Sequence, residues 1–332
     1  MYAYLLNLLT LSVFVLAGCS NSDVDKKGTV IVYTSVDQFF SSKILKQFEK
    51  DTGITVKALY DTEASKAVGL EKRLLAEKGN PKADVFWNSE FMRTARLESA
   101  GVFEKYMRDT GDYTSDKYYS PEGLWYGMGG RSRVFIVNKD LLKENDYPIA
   151  LTDIVKPRFK GKIALCTPYF GTTSTHFAAI YHKYGEEKFK DFLIGLKNNE
   201  IIMLAGNSVV KNAVGNGKFA IGLVDTDDAL VGIEQGLPIK MIYYDQEKDG
   251  MFSFFQTLSL VKGGKNQANG KILIDYLLRS NIEQQLIEMK AVQMHILTTE
   301  TEGNTPKIWT ASPGAIKDSL PASTALLRHY LD

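Results

Sequence analysis

Short apolar runs alternate along the chain with stretches in which apolar residues recur every three or four positions. Val30-Ile31-Val32-Tyr33 is a continuous apolar run, the pattern of a strand buried on both faces. Phe39, Phe40, Ile44, Leu45 and Phe48 then follow at helical spacing, and Gly53 supplies the stop. Thr55 to Tyr60 predicts a second strand. Ala67, Leu70, Leu74 and Leu75 mark a second helix, closed by Gly79-Asn80-Pro81. Ala83 to Trp87 predicts a third strand, and a helix follows to about Ala100. Strand and helix in strict alternation argue a parallel sheet covered by helices.

The pattern resumes downstream. Val134 to Val137 and Ile163 to Leu165 read as strands, followed by one helix from about Ser174 and another from about Glu186 to Leu196. Ile201 to Met203 and Phe219 to Val224 read as strands around a helix starting near Ser208. Thr257 to Val261 predicts a strand, then helices cover about Gln267 to Leu278 and Ile282 to Met289. Gly127-Met128-Gly129-Gly130 and Gly263-Gly264 are candidate bends.

Composition adds limits rather than identity. The 332 residues are 44% hydrophobic and 24% charged, ordinary for a globular chain, and the length suits two lobes. Forty Lys and Arg against 39 Asp and Glu give a net charge of +1, so no global basic field for nucleic acid exists. Two cysteines and four histidines argue against a disulfide scaffold, a Cys-based zinc site and a multi-histidine metal site. Residues 1–18 lack charged side chains and are mostly apolar from Leu5 to Leu16, ending in Leu16-Ala17-Gly18-Cys19. This resembles a bacterial lipoprotein signal, though without the usual early Lys or Arg. The resemblance implies cleavage before Cys19 and lipidation of its sulfur, with residues 19–27 a polar tether. Cys166, left alone, reads as an inert strand residue.

In open parallel sheets ligands gather at the carboxyl ends of the strands. Those ends carry Thr34, Ser35 and Asp37; Asp61 and Glu63; Asn88, Ser89 and Glu90; Thr167; Asn207 and Ser208; and Asp225, Asp227 and Asp228. Hydroxyls, amides and carboxylates at these places also cap helices. Thr172, Thr173 and Ser174 open a helix whose backbone amides favour anions. Arg131 and Arg133 straddle Ser132 at a strand entry, which predicts that only one faces the cleft; arginine suits a carboxylate, carbonate or phosphate. Three carboxylates within Asp225–Asp228 suit a hard cation or an ammonium group, or the first turn of a helix. No Gly-x-Ser-x-Gly, His-Glu-x-x-His or phosphate-loop lysine motif is present, which argues against an enzyme.

Together Val32-Tyr33-Thr34-Ser35, Phe48-Glu49-Lys50-Asp51-Thr52-Gly53-Ile54, Arg73 to Lys78, Ala83 to Trp87, Gly130 to Val134, Phe159 to Ala164 and the helix near Asp275 to Leu278 resemble the iron(III) branch of ABC-transporter solute-binding proteins. The similarity runs from about residue 28 to about residue 298. It implies an α/β, two-lobed type II periplasmic-binding-protein fold, each lobe a mostly parallel sheet flanked by helices, with two crossing strands between them. It divides the chain into residues 28–130 plus about 251–298 for lobe 1, and about 131–250 plus 299–332 for lobe 2. It also implies an exported, lipid-anchored monomer that captures ferric iron, or another hard cation with a synergistic anion, and hands it to a permease with a separate ATPase.

The family's iron binders place adjacent tyrosines where this chain has Asp227-Asp228, and a histidine where it has Asp37. The implied metal ligands are therefore Asp37, Glu90, Asp227 and Asp228, with Arg131 and Thr172 to Ser174 for the anion and Tyr243-Tyr244 off the matching position. The alternative ligand is a small organic phosphate, phosphonate or other organic anion on Thr34, Ser35, Asp37, Glu63, Asn88, Ser89, Arg131, Thr172, Thr173, Ser174, Asn207 and Ser208.

Overall fold

The computed structural model describes residues 28–61, 68–297 and 306–332; Cys19 and Glu63 lie outside them. The first lobe opens with β1 (Thr29–Thr34), α1 (Gln38–Thr52), β2 (Thr55–Tyr60), α2 (Val68–Ala76), β3 (Val85–Asn88) and α3 (Phe91–Ser99). β1 lies between β2 and β3 and runs parallel to both, as the alternation predicts. α1 buries Phe40, Ile44, Leu45 and Phe48, one stripe of the 3.6-residue period. It ends at Gly53, whose φ of 73° and N–H bond to the Glu49 carbonyl form a left-handed cap.

The rest of the chain forms β4 (Tyr126–Asn138), β5 (Ile163–Cys166), α4 (Gly171–Asn198), β6 (Ile202–Leu204), α5 (Asn207–Gly215), β7 (Ile221–Asp225), α6 (Thr226–Glu234) and β8 (Ile239–Ile242). Then come β9 (Met251–Leu260), α7 (Gln267–Leu277), α8 (Ser280–Glu288), β10 (Ile308–Trp309) and α9 (Pro313–Leu331). α4 is two helical stretches joined at Gly185, which takes φ 79° and ψ 171°, so the expected break between two helices falls there.

β4 and β9 are the crossing strands. β9 pairs antiparallel with β3 and with Tyr126–Ser132 of β4, while the far half of β4 pairs antiparallel with β7 and β8. β5 joins β7 and β6 in parallel. Each lobe thus has three parallel strands and takes its antiparallel members from the crossing region. One large apolar core gathers Val32, Phe48, Trp87, Phe91, Met128 and Phe255; a second gathers Phe135, Ile136, Leu165, Phe177, Leu193 and Leu223; a smaller one includes Leu74, Phe86 and Phe103. α9 does not belong to the second lobe alone, as the expected boundary has it. Ile316 and Leu320 join the first core and Leu327 the second, because a 19-residue helix spans both.

The glycine bend predicted at residues 127–130 is a bulge inside β4. The register with β9 shifts between Met128 and Gly130, and Gly129 takes φ +52°. The fully buried Glu283 carboxylate of α8 fixes it, accepting the N–H groups of Gly129 at 2.8 Å, Ile296 at 3.0 Å and Leu297 at 3.3 Å. Glu283→Ala leaves these three N–H donors without their acceptor in a buried place. The expected loss is about 3 kcal/mol or more of unfolding free energy, read from urea denaturation; a loss below about 1 kcal/mol would refute this role.

Candidate ligand site

The strand ends converge as the parallel topology requires. A cavity of about 300 Å³ is bordered by Asp37 at the start of α1, Ser89 after β3, and Arg131 on β4. Its other walls are Cys166, Thr167 and Phe170 to Thr173 between β5 and α4, Ala205 to Ser208 and Lys211 at α5, and Asp225, Asp227, Asp228 and Val231 at β7 and α6. α1, α4, α5 and α6 all begin at this cavity, with Asp37, Phe170, Gly206 and Asp225 as their cap residues. Four helix starts bring free backbone N–H groups and the positive ends of their dipoles to one place.

Under the cavity lies a pair of buried ion pairs. Arg131 and Arg133 occupy one face of β4, because residues two apart in a pleated strand point the same way. Both therefore approach Asp225, yet only one reaches the cleft, in line with the expectation from sequence. Only Arg131 borders the cavity; Arg133, completely buried, lies deeper along the strand. Arg131 Nη1 meets Asp227 Oδ2 at 2.6 Å and Asp225 Oδ2 at 3.9 Å, and Nη2 donates to the Ser89 carbonyl at 3.0 Å. Its guanidinium also sits 5.0 Å from the Phe254 ring centre. Arg133 pairs with Asp225 through Nη1, which also reaches Asn207 Oδ1 at 3.2 Å, and donates through Nη2 to the Leu223 carbonyl at 3.0 Å. Thr172 donates its hydroxyl to Asp225 Oδ2 at 2.8 Å. Burial pushes the Asp225 carboxyl up, but Arg133, Arg131 and the Thr172 hydroxyl outweigh it and hold the group below the usual aspartate range.

Several expected site residues are used elsewhere. Glu90, completely buried, caps α3: its oxygens accept the N–H groups of Met92 at 2.7 Å and Arg93 at 3.1 Å, and the Thr175 hydroxyl at 2.9 Å. Its pKa is raised by burial, and a carboxylate so engaged is no open metal ligand. Thr34 accepts the Val36 N–H at 3.1 Å. Ser35 donates to Asn88 at 2.6 Å, and Asn88 donates to Thr94 at 3.1 Å; these side chains hold the loops after β1 and β3 together. Ser174 is buried within the first turn of α4, off the cavity lining. Tyr244 is buried in the second core with its hydroxyl 3.3 Å from His176 Nε2, and no tyrosine among the described residues borders the cavity.

Asp37, Ser89, Arg131, Thr172, Thr173, Asn207, Ser208, Asp227 and Asp228 are brought together. Asp225, Asp227 and Asp228 each place an oxygen within 4.8 Å of the others, a spacing that admits a hard cation. Lys211, Val231, Phe39, Phe40 and Phe170 also border the cavity and were missed. The signal was available for two of them: Lys211 follows Asn207, and Val231 follows Asp227, at the four-residue helical interval.

Asp225→Asn would leave two buried guanidinium groups with one carboxylate between them. Breaking a buried pair in this way costs about 3–5 kcal/mol, so the variant should melt well below the parent. An unchanged melting temperature would show that the pairs are not structural. His176 offers a pH test. Its ring stacks 5.5 Å from Phe252, and burial, then the charge of Arg133, holds it well below 6.5 and so neutral. The unfolded histidine takes up a proton below 6.5 while the folded one does not, so stability is lost as pH falls through 6.5. His176→Phe should flatten the loss of stability between about pH 7 and pH 5; an identical slope in both proteins would refute the assignment.

Comparison with known proteins agrees with this geometry. The family described as bacterial extracellular solute-binding protein matches residues 80–308. The Fe(3+)-binding periplasmic protein of Serratia marcescens is 25% identical over 275 residues, 81% of this chain and 79% of its own. A putative 2-aminoethylphosphonate-binding periplasmic protein of Salmonella typhimurium is 26% identical over 249 residues, 73% of this chain and 70% of its own. The structure of the ferric binding protein from Campylobacter jejuni superposes with a TM-score of 0.81 at 19% identity, covering 91% of this chain and 99% of that one. With the family match extending over more than half of its length and the type II periplasmic-binding fold in place, the chain belongs to the bacterial extracellular solute-binding proteins.

Proposed function

We propose that the chain is the solute-capturing component of an ABC importer, and that its cavity takes a small organic phosphate or phosphonate for delivery to a membrane permease. The observation that carries this reading is the convergence of the α4, α5 and α6 starts, with Thr172, Thr173, Asn207 and Ser208, on one cavity of about 300 Å³. Such a set of amides and hydroxyls suits phosphate oxygens. The volume suits an organic solute rather than a bare ion. Asp225 and Asp227 are already matched by Arg133 and Arg131, so the carboxylates there are largely neutralised before any ligand enters. Asp37 and Asp228 also border the cavity, and carboxylate oxygens there suit hydroxyl or ammonium donors of a ligand. The similarity to a protein described as a putative 2-aminoethylphosphonate-binding periplasmic protein supports this choice.

A second reading has its own support. The spacing of Asp225, Asp227 and Asp228, and the ferric-binding relative, favour ferric iron held by carboxylates with a synergistic anion beside Arg131. The two readings separate in the Asp227→Asn, Asp228→Asn double variant. Under the first, glycerol 3-phosphate or 2-aminoethylphosphonate raises the melting temperature of the metal-stripped parent. The variant should still bind glycerol 3-phosphate, because the fall in repulsion and the release of Arg131 offset the carboxylate acceptor lost at Asp228. Under the second, ferric citrate stabilises the parent, the complex lacks the colour of phenolate ligation, and the variant loses iron. Stabilisation by ferric citrate alone would overturn the organic-phosphate reading. In the same scheme Cys19 carries the lipid anchor. Cys19→Ala should then move the protein from the salt-washed membrane fraction to the soluble one, and retention would count against the anchor.

A further inference from the structure

Phenylalanine is hidden almost everywhere in this chain. Among the described residues every phenylalanine is buried except Phe39 and Phe170, which are 68% and 48% exposed. Both border the ligand cavity. They come from different lobes: Phe39 lies in the first turn of α1, and Phe170 caps α4. Scattered exposed apolar residues need no explanation, but two exposed rings of one type flanking one polar cavity do. The buried groups Thr172, Thr173, Asp225 and Asp227 form the floor of that cavity, so the exposed rings stand at its mouth. Phe39 is also held in place. Its ring meets Phe40 edge-on with centroids 5.1 Å apart, and Lys43 Nζ lies 4.0 Å from its centre.

A ferric ion or inorganic phosphate would make no use of these rings and would leave most of the cavity empty. An extended, fully polar chain would leave their faces wet. We propose that the ligand is a phosphate or phosphonate joined to a ring, and that Phe39 and Phe170 cover the apolar face of that ring while the helix starts hold the anionic end. This rests on the organic-phosphate reading above. The shared chemistry is a flat face bearing C–H or π surface, offered by a sugar or by an aromatic ring. Asp37 and Asp228 on the walls are suited to hydroxyl groups at the edge of such a ring.

Calorimetric titration with three probes tests it: glycerol 3-phosphate without a ring, glucose 6-phosphate with a sugar ring, and phenyl phosphate with an aromatic one. The parent should bind at least one ring-bearing probe about 10-fold or more tighter than glycerol 3-phosphate. Which of the two gains identifies the kind of ring. The Phe39→Ala, Phe170→Ala variant should bring that preference to within about two-fold through loss of affinity for the ring-bearing probe. Both side chains are exposed, so an unaltered melting temperature confirms that the variant is folded. Equal binding of ring-bearing and ring-free probes by the parent, or a preference that survives in the variant, would overturn the proposal and leave the organic-phosphate reading standing. If the parent binds no phosphorylated probe, that reading itself fails and this proposal fails with it.

Discussion

Two guanidinium groups buried side by side on one strand are the constraint around which the site is arranged. An unpaired charge in a protein interior costs several kcal/mol, so Arg131 and Arg133 require carboxylates at a fixed depth and on a fixed face of β4. Asp225, opposite Arg133 in the β4–β7 pairing, and Asp227, in the first turn of α6, meet that requirement. Together they fix where α6 begins and hold its start against the crossing strand. Arg131 also donates to the Ser89 carbonyl of the first lobe, so one side chain binds both walls of the cleft. Thr172 joins the start of α4 to the same centre through Asp225.

Much of the fold is legible because its period is simple. Buried parallel strands read as continuous apolar runs and covering helices as 3.6-residue stripes, so β1 through α3 and β5 through β7 follow from the residues alone. The crossing strands are harder. β4 is buried along its whole length and carries Gly127, Gly129 and Gly130, which look like a turn until Glu283 and the β9 ladder supply partners for their backbone. β9 begins at Met251, earlier than Thr257, because Ser253 is a buried polar residue whose hydroxyl bonds the Arg131 carbonyl at 2.8 Å. α9 carries Pro321 inside the helix, a residue that usually ends one, and its apolar positions serve two cores in turn.

The site shows a different limit. Helix caps and ligand contacts draw on the same residue types at the same strand ends, so Glu90 and Asp37 look alike in sequence. What separates them is the third dimension: Glu90 finds the α3 N–H groups and Thr175, while Asp37 borders the cavity. The arginine pair shows the opposite case. The alternation of a strand is enough to place Arg131 and Arg133 on one face. Depth along the strand, which sequence does not give, is why only Arg131 reaches the cavity.

The same geometry ties ligand chemistry to the connection between the lobes. Arg131 lies two residues from Gly129, the left-handed residue of the β4 bulge, and the Gly130 carbonyl accepts the Gln293 N–H at 2.7 Å. On the second lobe the Thr226 hydroxyl bonds Gln293, and the Ser132 N–H donates to that hydroxyl at 3.2 Å. Thr226 sits between the two aspartates that hold the arginines. An anion that draws Arg131 away from Asp227 therefore acts on a strand held, within three residues, by both the bulge and the Thr226 contact. No long pathway separates the cavity from the connection, because Arg131, which borders the cavity, belongs to a strand that crosses between the lobes.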